Sequence, residues 1–173
     1  AINGAYRDRS SYIGKGRALA ALGEHSRAIA DFDEALRLAE SEIDSDEAWA
    51  SDPDLIATVK ARADSLSLLD QYEEAVADYT RIIDWGLGDA DTYRNRGQCN
   101  QFLEEFEEAA ADFSSAISLD GSDYYDYIGL GQSSEELIDF VSTDEEYDEI
   151  RSTVLDAYSR AVWVDPEDPQ GYG

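Results

Sequence analysis

The stretch Ala90–Asp123, ADTYRNRGQCNQFLEEFEEAAADFSSAISLDGSD, decides how the rest of the chain is read. Its 34 residues hold two helical patterns separated by a break near Glu104 and Glu105. Gly97 and Ala109 are small residues at which two helices can approach closely, while Tyr93, Phe102, Phe106, Phe113, Ile117 and Leu119 supply apolar surface. One hairpin cannot bury that surface alone, so the pattern calls for neighbours of the same kind.

The neighbours are found by offset. With Ala90 as position 1, earlier copies start at Ile56 and Arg9, and a later one at Tyr124. Position 4 is then Tyr12, Val59, Tyr93 and Tyr127, and position 8 is Gly16, Ala63, Gly97 and Gly131. Position 24 is Phe32, Tyr79, Phe113 and, after an insertion, Tyr158; position 27 is Ala35, Ile82, Ala116 and Ala161. A 34-residue period with aromatic and small residues at fixed places predicts an all-α stack of four helix hairpins, over about 9–42, 56–89, 90–123 and 124–167, with insertions at about 43–55 and 137–147. The whole chain, 1–173, reads as one such domain.

The pieces Y-x-x-x-G, L-G-E-H or L-E-E-F, A-I-A-D-F or A-A-A-D-F, and the terminal Asp165-Pro166 resemble the tetratricopeptide repeat family over residues 9–166. The resemblance implies two antiparallel helices per repeat, A and B, stacked as an α-solenoid. It also implies that the A helices line a concave groove that binds a peptide or protein segment.

A second pattern lies inside the repeats. Position 7, usually apolar in that family, is Lys15, Arg62 and Arg96 in the first three copies, and position 23 is Asp31, Asp78 and Asp112. In the fourth copy both charges are gone, replaced by Leu130 and Ala157. Charges that appear and vanish together point to ion pairs between the helices of each hairpin, because a half-buried charge without a partner costs several kcal/mol.

Composition narrows the function. The 173 residues carry 13 basic and 40 acidic side chains, a net charge of -27. That excess opposes binding to nucleic acid or to anionic membranes, both of which need cations. No apolar run is long enough to span a bilayer, and no signal peptide is visible, which favours a soluble, cytoplasmic protein over an exported one. The chain begins at Ala1 and contains no Met, so a processed or trimmed N-terminus is expected. Abundant Asp and Glu with only two lysines resembles the composition of proteins from salt-loving organisms; the alternative is an ordinary acidic scaffold that attracts basic partners.

With one histidine, His25, and one cysteine, Cys99, the chain offers neither a Cys–His nucleophile pair nor a zinc cluster. Both read as packing residues. Asp44, Asp46, Glu47, Asp52 and Asp54 in the first insertion lack the glycine and terminal glutamate of a calcium loop and read as solvated. Asp52 before Pro53 reads as a helix start, Ser26 as an N-cap, and Thr143 with Glu146 as a capping box. Trp49 either packs back on the stack or belongs to a contact surface. Pro169–Gly173 resemble the opening of a fifth repeat.

The groove decides the function. Register places Arg17, Lys60 and Arg94 on groove-facing positions of successive A helices, joined by Asn95, Gln98, Gln101 and Tyr125. Some members of the family clamp the C-terminal carboxylate of a chaperone. Lys60 and Asn95 match that clamp, whereas Asp64, Tyr125 and Gly129 do not. The sequence therefore reads as a non-catalytic interaction or scaffold module without a cofactor or metal, taking a peptide or protein segment, including an acidic or carboxylate-bearing one. The alternative is an assembly subunit that docks through its stack end and acidic insertions.

Overall fold

A computed structural model describes residues 2–41 and 46–164, with side chains from residue 9 onward and excepting 46 and 47. Asp44, Asp165-Pro166 and the suggested fifth-repeat opening around Tyr172 lie outside the described residues. The described chain is helical, without strands: α1 (Ile2–Ala21), α2 (His25–Glu40), α3 (Asp46–Ala50), α4 (Pro53–Ser67), α5 (Tyr72–Asp84), α6 (Ala90–Phe102), α7 (Phe106–Leu119), α8 (Tyr124–Leu137), a 3-10 turn (Ile138–Phe140) and α9 (Asp144–Val164). It divides into two compact units, Ala1–Gly88 and Asp89–Gly173. In the first, α1 packs on α2, α2 on α4, and α4 on α5; in the second, α6 packs on α7, α7 on α8, and α8 on α9. Each unit is thus two antiparallel hairpins in succession.

The helix turns repeat as closely as the helices. Gly23, Asp70 and Glu104 occupy the same repeat position, and all three take left-handed backbone, with φ of 77°, 59° and 62°. After each, the next amide bonds back to a carbonyl five residues earlier: Glu24 to Leu19 at 2.9 Å, Gln71 to Leu66 at 3.0 Å and Glu105 to Asn100 at 2.9 Å. That bond consumes a carbonyl the ending helix would leave without a partner.

Position 8 is small because position 24 is aromatic. A Cβ built on Gly16 would stand 2.5 Å from the Phe32 ring, on Gly97 3.3 Å from Phe113, and on Gly131 2.9 Å from Tyr158. Between hairpins, Gly129 admits the Phe113 ring to the α8 backbone. The core of the first unit gathers Leu36, Ala39, Leu55, Val59 and Ile82 around Trp49, that of the second Tyr124, Tyr127, Ile128 and Ala161.

Helix ends follow local chemistry. Asp52 caps α4, accepting from the amides of Asp54 and Leu55, with Pro53 in the first turn. Thr143 and Glu146 form the reciprocal capping box: the Glu146 amide donates to Thr143 Oγ1, and the Thr143 amide to Glu146 Oε2, each at 3.2 Å. Two starts differ from expectation. α1 begins at Ile2, well before residue 9 where the first hairpin is expected to open, and α2 is preceded by Glu24 with no side-chain cap, so Ser26 lies inside the helix. The Glu24–Leu19 turn bond already sets that corner, which makes a serine cap unnecessary.

Trp49 packs back on the stack. It is 3% exposed, its ring 6.3 Å from that of Trp85, with the Arg81 guanidinium 4.2 Å above it. A half-buried guanidinium on an indole face is a favourable contact, and it fixes α3 against α5.

Candidate binding face

The position-7 cations meet the position-23 carboxylates. Lys15 Nζ lies 2.7 Å from Asp31 Oδ1. Arg62 forks onto Asp78 through Nε at 2.7 Å and Nη2 at 2.6 Å, and Arg96 forks onto Asp112 at 2.9 and 2.6 Å. Two of these pairs recruit a further group: Arg62 Nη1 reaches Asp33 on α2 at 2.7 Å, and Asn100 donates to Asp112 at 3.1 Å. Burial works against the charge on Arg62, but its bonds to Asp78 and Asp33 outweigh it and hold the guanidinium above its ordinary range. These residues tie helix to helix and leave the A-helix faces to other side chains.

Those faces are best described unit by unit. In the first unit α1 neighbours α4. Arg17 stands half in solvent, 3.5 Å from Asp54, and Lys60 is half-buried on α4. In the second unit α6 neighbours α8. Asp89 caps α6 by accepting from the Thr92 amide at 2.8 Å, and Asp123 caps α8 by accepting from the Tyr125 amide at 2.9 Å.

Arg94 does not reach out of this face as its register suggested. Its Nε and Nη2 donate to the two oxygens of Asp126, which is 0% exposed, and it also touches Asp91 at 2.5 Å and Asp123 at 3.1 Å. The bonds to Asp126 hold the guanidinium above its ordinary range, whereas burial pushes the Asp126 carboxyl up against the pull of Arg94. One cation among three carboxylates leaves this end of the face acidic.

Gln101 also turns inward. Its amide nitrogen donates to Ser133 Oγ at 2.9 Å and to the Gly129 carbonyl at 3.3 Å, bolting α6 to α8. Gln98 is exposed, Asn95 half-buried, and Tyr125 exposed with its ring 4.5 Å from that of Tyr124. Next to Gln101 opens a cleft of about 340 Å³, lined by Gln101, Phe102, Phe106, Gln132, Glu135 and Glu136. The Phe102 ring is 67% exposed there. Phe106 enters this cleft from α7 and closes it against side chains of α6 and α8.

Among the described residues no group of three or more His, Cys, Asp or Glu could hold a metal ion, and no helix is long and apolar enough to cross a membrane. Cys99 is buried.

The tetratricopeptide-repeat family model matches residues 10–42 and 90–123, the first and third hairpins. No curated protein sequence matches the chain. Solved structures do. MamA from Desulfovibrio magneticus RS-1 superposes with a TM-score of 0.70 at 18% identity, covering 93% of this chain and 77% of that one. YrrB, a TPR protein with an unusual peptide-binding site, gives 0.58 at 17% identity, over 93% of this chain and 88% of its own. The first TPR of Spaghetti (RPAP3), bound to the HSP90 peptide SRMEEVD, gives 0.61 at 18% identity, over 76% of this chain and 94% of its own. At such identities the likeness speaks for the fold, and it agrees with the repeat period, the repeated turns and the small-on-aromatic packing. Two of its hairpins match the tetratricopeptide-repeat model, and the described chain has the fold of that family's solved structures, an all-α stack of antiparallel helix hairpins.

Proposed function

We propose that the chain is a non-catalytic protein-interaction module that takes a peptide or protein segment on its A-helix faces, above all on the face of α6 and α8. The observation that carries this reading is the cleft beside Gln101, where the exposed Phe102 ring, amides and carboxylates stand together on two helices fixed by the Arg94–Asp126 and Gln101–Ser133 contacts. Rigid elements presenting mixed apolar and polar groups suit recognition of an ordered segment. The peptide carried by the RPAP3 domain is an instance of such binding in the same fold. An acidic or carboxylate-bearing segment would find its cations at Arg17 and Lys60 in the first unit, since Arg94 is engaged by carboxylates.

A photo-crosslinking residue at Gln98, on this face, and another at Ser114, on α7, test the proposal. Crosslinking to protein in the native lysate from position 98 and not from 114 is the expected result; equal crosslinking from both would overturn it. The alternative, an assembly subunit docking through its stack end, draws on α9, where Trp163 is 84% exposed and Leu155 is also exposed. Capture dependent on Trp163 and indifferent to Gln98 would favour it.

A further inference from the structure

Resting on that reading, we propose that the α6–α8 cleft selects a cationic segment that also carries aromatic or aliphatic side chains. Phe106 lines both this cleft and a second hollow of about 220 Å³, where Leu137 and Phe140 meet the loop before α7. Phe140 is 75% exposed. The two hollows thus join Phe102, Phe106 and Phe140 into an apolar strip, and exposed rings of this kind gain from a partner that removes them from water.

The rim is of one sign. Glu135 and Glu136 border the first hollow; Glu104, Glu105, Glu107 and Glu108 border the second; among the described residues no lysine or arginine lines either. All six glutamates are exposed. Arg94, the cation on the same helix face, is held by Asp91, Asp123 and Asp126. A segment bearing carboxylates would meet uncompensated repulsion here. Lysine or arginine flanking a Phe or Leu would place its charges on the rim and its apolar group on the strip, and like-charge exclusion would supply the specificity. A second copy of this chain, with its net charge of -27, would meet the same repulsion.

The test uses the full chain and three blocked 12-residue peptides of one Phe/Leu pattern, whose remaining positions are all Lys, all Gln or all Glu. Binding is read by fluorescence anisotropy and by amide chemical shifts of α6 and α8. The Lys peptide should bind, shift those amides and weaken with salt. Glu135→Gln with Glu136→Gln should weaken it about tenfold, and so should Phe102→Ser. Glu73→Gln with Glu74→Gln on α5, equal in charge change, should leave it unaltered. If both pairs of glutamine variants weaken binding alike, attraction is diffuse and the proposal fails. If the Glu peptide instead binds and shifts α6 and α8, the face binds segments but the partner class is wrong. If no peptide shifts either helix, the partner class falls, and the crosslink from position 98 decides separately whether the face binds protein at all.

Discussion

Arg94 on α6 grips Asp126 on α8 with two parallel bonds, Nε to Oδ1 at 2.6 Å and Nη2 to Oδ2 at 2.8 Å. The residues come from different hairpins, and the carboxylate is fully buried. The fork therefore joins the third repeat to the fourth at the floor of the proposed binding face. It also removes from that face a cation that would have welcomed an acidic ligand.

Arg94→Leu should accordingly cost about 3–5 kcal/mol, because it strands a buried carboxylate. Adding Asp126→Leu should recover most of that loss. Denaturant midpoints of the wild type, both single variants and the double variant measure the coupling. A loss under about 1 kcal/mol, the scale of an exposed pair, would mean that water reaches Asp126 on its own.

Two glycine replacements should move stability in opposite directions. Gly14 sits inside α1, and a Cβ there meets nothing within 4 Å. Gly14→Ala should stabilise by about 0.5–1 kcal/mol, since alanine loses less backbone entropy in a helix. Gly23 turns the chain at φ 77°. Gly23→Ala should destabilise by about 1–2 kcal/mol, the strain of left-handed backbone on a residue with a Cβ. Thermal melts of the two variants check both signs, and a shared sign would contradict the turn geometry.

The repeat architecture was legible because it is written four times. Small residues at position 8 and aromatics at position 24 recur in every copy, and the left-handed turns at Gly23, Asp70 and Glu104 recur in the first three. The Arg96–Asp112 spacing was legible for the same reason, with Leu130 and Ala157 showing the uncharged version. What occurs once was hidden. Arg94 meets Asp126 across hairpins, in one copy only, so no second instance betrayed it and register alone sent its side chain outward. Trp49 comes from an insertion without a counterpart, and its place beneath Arg81 could not be chosen from spacing.

The legible pair offers its own test. Arg96→Leu should cost about 3 kcal/mol, and Arg96→Leu with Asp112→Ala should regain much of it. Recovery should be incomplete, because Asn100 loses the Asp112 oxygen to which it donates. Strictly additive losses in the cycle would reject the coupling.

Tyr158 should titrate late. Burial first, and then its 3.0 Å bond to Glu135, push its hydroxyl up to about 12. Because the folded value lies above the unfolded one, this tyrosine's contribution is complete below the ordinary tyrosine value, near 10, and is lost as pH rises through about 12. The ultraviolet difference titration of wild type against Tyr158→Phe isolates the group among the other tyrosines. Glu135→Gln should bring its midpoint down, leaving the part due to burial; an unmoved midpoint would deny the hydrogen bond any role.

Salt should stabilise this protein, although salt also screens its ion pairs. The exposed pairs Arg27–Glu24, Arg37–Glu34 and Arg160–Asp156 contribute little in water, and screening removes that small gain. The forks Arg62–Asp78, Arg94–Asp126 and Arg96–Asp112 have buried carboxylates and are screened far less. Against these stands a net charge of -27. Two carboxylates about 10 Å apart in water repel by about 0.4 kcal/mol, and an excess of this size contains many such pairs. The screening length falls from about 10 Å at 0.1 M to about 3 Å at 1 M, which quenches most of that repulsion while sparing the buried forks. The denaturation midpoint should therefore climb between low salt and about 1 M KCl, and climb less in a variant with several surface glutamates on α5 and α7 changed to glutamine. A midpoint that stays flat or falls would show that the exposed ion pairs outweigh the repulsion, and would remove the physical basis for reading the acidity as an adaptation to high salt.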